Sequence, residues 1–250
     1  MKIGIIGTGS IGGTIAKKMA AAGHSVKVSN SGDTEKLKPL ADELGVEAAN
    51  LKDVVKDVDV IILSVPTAAM STLSKNLLAD VPKNVIVVDT SNYYPFRDAD
   101  IEEINNGKVE SIWVSEQLAR PVIKAFNNLL AETLKNGGKD PGAQNRIAMA
   151  VAGDDTEAKK IIAGLIKDAG FDAVDSGNLS ESWRHQPGTP AYCTELTAEE
   201  LKQALSNAVK EQAPSLRDKT IADLSSLPAY PSHQDVVKYN RGLFQNTKSV

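Results

Sequence analysis

Lys2-Ile3-Gly4-Ile5-Ile6-Gly7-Thr8-Gly9-Ser10-Ile11-Gly12 opens the chain and decides its fold. Lys2 to Ile6 is an apolar run of the length of a buried parallel strand. Gly7 to Gly12 then match the spacing G-x-G-x-x-G. From Ile11 the pattern turns helical, with Ile15 and Met19 four apart on one side and Lys17-Lys18 on another. Gly23 ends that helix, and His24-Ser25-Val26-Lys27-Val28 alternates as a second strand. The glycine spacing alone is weak, because glycines punctuate many turns. Strand, glycine turn, helix and strand within about thirty residues make it a dinucleotide fingerprint. Gly7 permits the tight turn, Gly9 lets backbone approach a pyrophosphate, and Gly12 lets the helix lie near the strand. The helix N-terminus offers unpaired N–H groups and a positive dipole end to that pyrophosphate.

The end of the second strand selects the dinucleotide. An NAD site usually places Asp or Glu there, bonded to the ribose hydroxyls, and such a carboxylate repels a 2′-phosphate. This strand ends Val28-Ser29-Asn30-Ser31, all neutral, with Lys36 about one helical turn further. That chemistry favours NADP(H), although Gly32 stands where an arginine would bind best and Asp33 is nearby.

The chain has 250 residues and a formal net charge of −4, which argues against a nucleic-acid footprint. Its one cysteine, Cys193, allows no intrachain disulfide and suits a reducing compartment. No apolar run approaches the roughly 20 residues of a membrane span. The first strand begins at Lys2, leaving no room for a signal peptide before it. The expectation is a cytoplasmic protein.

Downstream, strands alternate with helices. Helices are expected over 33–44, 51–58 and 68–78, and strands over 46–49, 59–66, 84–92, 121–126, 146–152 and 171–174. Asp154-Asp155-Thr156-Glu157 resembles a capping box opening a helix that runs through Ala169. The alternation predicts an α/β fold: a doubly wound, mostly parallel Rossmann sheet with right-handed crossovers. Residues 1–178 would be the NADP-binding domain. Residues 179–250 would be a small C-terminal helical and loop extension that covers substrate, builds a homodimer, or does both. Within it, Thr197-Ala198-Glu199-Glu200 opens a helix with a capping box, ending before Pro214. Short helices are expected over 218–227 and 235–244, around a turn at 228–232.

Ligands of open parallel sheets bind beyond the carboxyl ends of the strands, where strand order reverses. Four ends here are polar or turn-forming: Gly7 to Gly12, Ser64-Val65-Pro66-Thr67, Thr90-Ser91-Asn92 and Asn127-Asn128. A hydride transfer needs placement rather than a nucleophile, so no catalytic residue is assigned. Trp183, His185 and Tyr192 are the substrate-side candidates, from a segment dense in aromatic, cationic and amide groups. Equally, His185 can be an ordinary loop histidine, and Trp183, Arg184 and Tyr192 can staple a dimer interface. No C-x-x-C, H-E-x-x-H or close His/Cys/carboxylate cluster occurs, so no metal site is expected.

Gly7-Thr8-Gly9-Ser10-Ile11-Gly12, Ser29-Asn30-Ser31, Ser64-Val65-Pro66, Asp89-Thr90-Ser91-Asn92 and Lys124-Ala125-Phe126-Asn127 occur in one order. Together they resemble the NADPH-dependent oxidoreductases of the coenzyme F(420)-dependent NADP reductase type. The same module is similar to the cytosolic part of six-span membrane ferric reductases and to pyrroline-5-carboxylate reductases. The resemblance implies hydride transfer between NADP(H) and a planar electron acceptor, such as a deazaflavin or flavin. It implies that Thr8, Ser10 and Ile11 hold the pyrophosphate, within the turn made by Gly7, Gly9 and Gly12. Asn30 and Ser31 would meet the 2′-phosphate, and Val65 and Pro66 would pack by the ribose. Asn92, Ala125, Phe126 and Asn127 would frame the nicotinamide. Members of that group commonly place arginine where Gly32 stands, and the extension differs from the short helical end of the archaeal reductases. Two other readings stay open: an NADP(H)-sensing module without turnover, and a small imino- or hydroxy-acid reductase, for which about seventy residues after the sheet are few.

Overall fold

A computed structural model describes residues 1–73, 77–229 and 231–245. The opening stretch forms β1 (Lys2–Ile6), a turn, α1 (Ser10–Ala21) and β2 (Ser25–Ser29). There follow α2 (Thr34–Leu44), β3 (Glu47–Ala48), β4 (Val60–Leu63) and β5 (Ile86–Asp89). The strands assemble in the order β3-β2-β1-β4-β5, all parallel. The chain therefore winds one way from β1 to β3, then restarts on the other side of β1 with β4.

Consecutive side chains of these strands enter opposite cores, as the pleat requires. Ile3, Ile5, Val60 and Ile62 join Ile15 and Met19 of α1 in one cluster. Ile6, Ile61, Leu63 and Val87 join Val54, Met70 and Trp113 in the other. Because both faces are covered, all four residues of β4 are buried. That is why the run reads as continuously apolar rather than alternating.

Three short helices follow β5: α3 (Pro95–Asp98), α4 (Glu102–Asn105) and α5 (Glu110–Leu118). β6 (Ile123–Lys124) extends the parallel run beside β5. After α6 (Ala131–Asn136), β7 (Ala148–Ala152) enters antiparallel to β6. α7 (Thr156–Asp168) then leads to β8 (Asp172–Gly177), parallel to β7. Among the described residues the sheet is thus eight-stranded and mostly parallel, with one antiparallel junction between its strands.

The extension packs directly on the sheet. α8 (Ala198–Ser206) lays Leu201, Ala204 and Leu205 against Ala148, Ala150 and Val174. Its capping box is present, Thr197 and Glu200 satisfying each other's backbone N–H groups. α9 (Ala213–Ser225) and α10 (His233–Leu243) complete the described chain.

Several local expectations are corrected. Residues 51–58 form turns rather than a helix. Over 68–78 the described backbone is a 3-10 turn at Thr67–Ser71, and 74–76 lie outside the described residues. The helix opened at Thr197 does end before Pro214, at Ser206, but Pro214 is not what stops it. Pro214 instead sits in the first turn of α9, where its missing N–H costs nothing. The helix at Thr156 has a single-residue cap: the Asp155 carboxylate accepts from Glu157 and Ala158 N–H. Asp154 instead accepts from Leu179 N–H at 3.0 Å, tying the extension to the end of β7.

Candidate functional site

The carboxyl ends of β1, β4, β5 and β6 meet at one edge, and a cleft of about 320 Å³ opens there. Its walls include Gly9, Ser10 and Ile11 after β1, Ser64 to Pro66 after β4, Thr90 to Asn92 after β5, and Phe126 and Asn127 after β6. This lies at the reversal of strand order between β1 and β4, where open α/β sheets bind ligands.

The glycine turn is built for close approach. Gly7 has φ +103°, and a Cβ there would fall 2.1 Å from the Ser64 carbonyl oxygen. A Cβ on Gly12 would lie 2.0 Å from the Gly7 oxygen, so α1 can lie on the turn only without one. Gly9, the N-cap, gives no side-chain hydrogen bond, and the first turn of α1 carries no acidic residue. The leading N–H groups and the positive end of the helix are therefore left to an anion. These residues fit the diphosphate of a dinucleotide.

The end of β2 is polar without an acid. Ser29 is buried, and the Asn30 amide donates to Thr8 Oγ1 at 3.2 Å while its carbonyl accepts from Gly32 N–H at 2.8 Å. Asn30 thus ties the second strand to the glycine turn. Ser31 and Lys36 are exposed, and Asp33 is engaged as the N-cap of α2.

Beneath the cleft lies a buried ionic cluster. Lys124 Nζ sits 3.1 Å from Asp89 Oδ2 and also donates to the Ser91 carbonyl. Asp89 further accepts from Ser91 N–H (2.8 Å) and Ser111 Oγ (2.7 Å). A charge pair this deep is sustained only because its remaining lone pairs and protons are bonded. Its effect is to fix the bend at Thr90-Ser91-Asn92. Glu110 comes close to the same cluster and accepts from Tyr93 N–H at 3.1 Å. Complete burial pushes its carboxyl up to about 7, against the attraction of Lys124.

The sequence candidates divide by position. Gly9, Ser10, Ile11, Ser64, Val65, Pro66, Asn92, Phe126, Asn127 and Tyr192 line the cleft. Gly7, Thr8, Gly12, Asn30 and Ala125 stand behind or beside that lining, while Ser31 and Lys36 lie on the exposed flank. Trp183 packs with Val109 and Ala208, under the Arg184 guanidinium at 4.5 Å. His185 is fully buried behind Asn127. Its Nδ1 is 2.8 Å from Asn127 Oδ1, while its Nε2 has no partner among the described residues. Burial, with Lys124 nearby, lowers its pKa to about 3, so the ring is neutral, and the acceptor oxygen facing Nδ1 selects the tautomer that donates from Nδ1.

Sequence reading passed over Tyr94, Arg97, Leu129, Leu130 and Cys193, which also line the cleft. Tyr94 follows the polar strand end by two residues, and that adjacency is the signal that could have found it. Cys193 and Tyr192 arrive from the extension, a contact no local pattern encodes. They are held by Cys193 N–H to the Asn128 carbonyl (2.9 Å) and by Arg241 of α10, whose Nε donates to the Thr194 carbonyl (2.6 Å).

A glycine turn under a helix N-terminus, at the switch point of a parallel sheet, defines a dinucleotide-dependent oxidoreductase of the Rossmann class. A family model described as "NADP oxidoreductase coenzyme F(420)-dependent" matches residues 2–93. The Escherichia coli (strain K12) protein YjhV is 37% identical over 124 residues, covering 50% of this chain and 83% of YjhV. A crystal structure of a hypothetical protein from Sinorhizobium meliloti superposes with a TM-score of 0.66 at 30% identity, covering 79% of this chain and 95% of that one. The F(420)-dependent NADP reductase of Methanothermobacter thermautotrophicus is 29% identical over 201 residues, 73% of this chain and 83% of the reductase. The chain belongs to the family of coenzyme F(420)-dependent NADP oxidoreductases. It is an NADP-dependent oxidoreductase. Among the described residues no helix is long and apolar enough to cross a membrane.

Proposed function

We propose that the protein transfers a hydride between NADP(H) and a planar acceptor of the deazaflavin or flavin type. When bound, the reduced nicotinamide supplies that hydride, and the chain's own residues bind, orient and exclude water. Gly7 to Gly12 would hold the diphosphate, with the N–H groups of Ser10 and Ile11 facing it. Asn30, Ser31 and Lys36 would receive the 2′-phosphate, and Ser64 to Pro66 would pack by the ribose. Asn92, Ala125, Phe126 and Asn127 would frame the nicotinamide. Residues 1–178 thus serve as the NADP-binding part, and the extension closes the acceptor side through Tyr192 and Cys193.

The observation that carries this reading is the shared wall: the same cleft is bounded by the glycine turn and by aromatic rings. Tyr94 and Tyr192 line it, and Phe96, 72% exposed, stands 5.6 Å from the Tyr94 ring. An apolar ring that solvated, packed beside a residue of the cleft wall, suits a flat partner. The further reading is that the extension joins two copies in a homodimer, since α9 and α10 bury only Ala213, Arg217, Val237 and Asn240 within the chain. The test is anaerobic mixing of NADPH with 5-deazariboflavin or FMN and catalytic amounts of the full chain. Multiple-turnover oxidation of NADPH by at least one of them is expected. NADPH left unoxidised with both would overturn the proposal.

A further inference from the structure

A single hydrogen-bonded chain runs from buried His185 to the acceptor side of the cleft, and its directions can be read one link at a time. Neutral His185 donates from Nδ1 to Asn127 Oδ1 at 2.8 Å. That fixes the Asn127 amide, whose Nδ2 donates to the His185 carbonyl at 2.9 Å and to Asn92 Oδ1 at 3.0 Å. Asn92 is fixed in turn, its Nδ2 donating to the Asn127 carbonyl at 3.0 Å and towards Tyr192 Oη at 3.4 Å. Tyr192 Oη, receiving that donor, lies 2.8 Å from Tyr94 Oη. Either phenol can donate across the Tyr192–Tyr94 contact; Tyr192 already receives the Asn92 donor, and Tyr94 Oη is a stronger acceptor for its proton than the adjoining Cys193 sulfur. With Tyr192 donating to Tyr94, one donor at each step points outward, and among the described residues the Tyr94 proton is left without an acceptor.

We propose that Tyr94 is a catalytic hydrogen-bond donor to the acceptor, its O–H aimed by the His185–Asn127–Asn92–Tyr192 chain at the acceptor atom that gains negative charge. The inference rests on the proposed activity. A planar acceptor that gains a hydride at an electrophilic ring atom forms one new bond there and is reduced by two electrons, NADPH being oxidised to NADP⁺. The electron pair of the broken π bond moves to a conjugated ring nitrogen or carbonyl oxygen, and the Tyr94 hydroxyl donates to that atom. Burial holds the Tyr94 and Tyr192 phenols well above their ordinary range, so Tyr94 keeps its proton and stabilises charge; the proton finally taken up comes from water. A donor already oriented before charge develops stabilises the transition state more than the ground state. Tyr192, Asn92, Asn127 and His185 act through it and are positioning residues.

The test compares wild type, Tyr94→Phe and Tyr192→Phe. It measures NADPH affinity by nicotinamide fluorescence, the dissociation constant of oxidised 5-deazariboflavin, and the single-turnover rate of hydride transfer. For Tyr94→Phe the rate is expected to fall by about 10²-fold, with both dissociation constants within about threefold of wild type. Tyr192→Phe keeps the donor but frees its direction, and a smaller loss, about tenfold, is expected. A wild-type rate in Tyr94→Phe would overturn the donor role. So would a loss confined to the affinity for the oxidised acceptor, because that reports uniform binding. If the wild-type chain itself leaves NADPH unoxidised, the proposed activity falls and the donor role with it. If wild type turns over and Tyr94→Phe matches it, the donor role alone falls.

Discussion

The two flanks of the cleft are built by different means. On the β1–β4 side, backbone does the work: a glycine turn, a free helix end and buried apolar strands, with position set by sheet register. On the β5–β6 side, side chains do it. The Lys124–Asp89 pair fixes one bend, and Asn92, Asn127, Asn128 and His185 bind loops far apart in sequence. A register-built wall is local and tolerant of most side-chain changes except at its glycines. A wall held by buried polar groups depends on every partner, because each orphaned group carries its full desolvation cost.

The largest effect is expected where that dependence is greatest. Lys124→Met leaves the Asp89 carboxylate buried without its cation, and should lower unfolding free energy by about 3–5 kcal/mol. Chemical denaturation checks it. The double variant Lys124→Met, Asp89→Leu should recover much of the loss, since a neutral apolar pair leaves no orphaned charge. Equal losses in the two variants would mean that the pair matters by packing alone.

On the opposite flank the damage should be to ligand rather than fold. Gly12→Val places a side chain 2.0 Å from the Gly7 oxygen and 3.0 Å from Ser64 Cβ, forcing α1 off the turn. NADPH affinity should drop by about 10²-fold, with about 1–3 kcal/mol of stability lost to overpacking. Fluorescence titration and a melting curve separate the two. Retained affinity would place the cofactor elsewhere.

The smallest and most discriminating effect concerns two buried groups that titrate in opposite senses. The folded state raises Glu110 from 4.5 to about 7. Its contribution to stability is therefore complete below about pH 4.5 and lost as pH rises through about 7. The folded state lowers His185 from 6.5 to about 3. Its contribution is complete above about pH 6.5 and lost as pH falls towards about 3. Between about pH 4.5 and 6.5 the two slopes oppose, and wild-type stability should be nearly flat with respect to these groups. Glu110→Gln removes one slope, so stability should then rise with pH across that window by about 1.4 kcal/mol per unit. A profile as flat as wild type would show that the two groups are not opposed.

The same contrast explains what could be read from residues alone. The register-built half was legible because periodicity and glycine spacing are properties of neighbouring residues: Gly7 to Gly12, the neutral end of β2 and the apolar β4 and β5 sit where their patterns place them. α3, α4 and α5 escaped notice because they are short; of these only α3 opens with a recognisable signal, Pro95. The antiparallel entry of β7 leaves no trace in an apolar run. Lys124 gave no hint of full burial, since its stem and charge are accommodated by Asp89, thirty-five positions away. Tyr192 and Cys193 reach the cleft through contacts distant in sequence, the 2.8 Å link of Tyr192 to Tyr94 and the 2.9 Å bond from Cys193 N–H to the Asn128 carbonyl.

Calorimetric titration of the full chain with NADPH and, separately, NADH tests most directly that a diphosphate lies over the glycine turn and a 2′-phosphate at the acid-free end of β2. The account predicts saturable heat for both reduced nucleotides and a dissociation constant at least about tenfold lower for NADPH, a difference of about 1.4 kcal/mol. Equal affinities, tighter NADH binding, or no heat with either would contradict it.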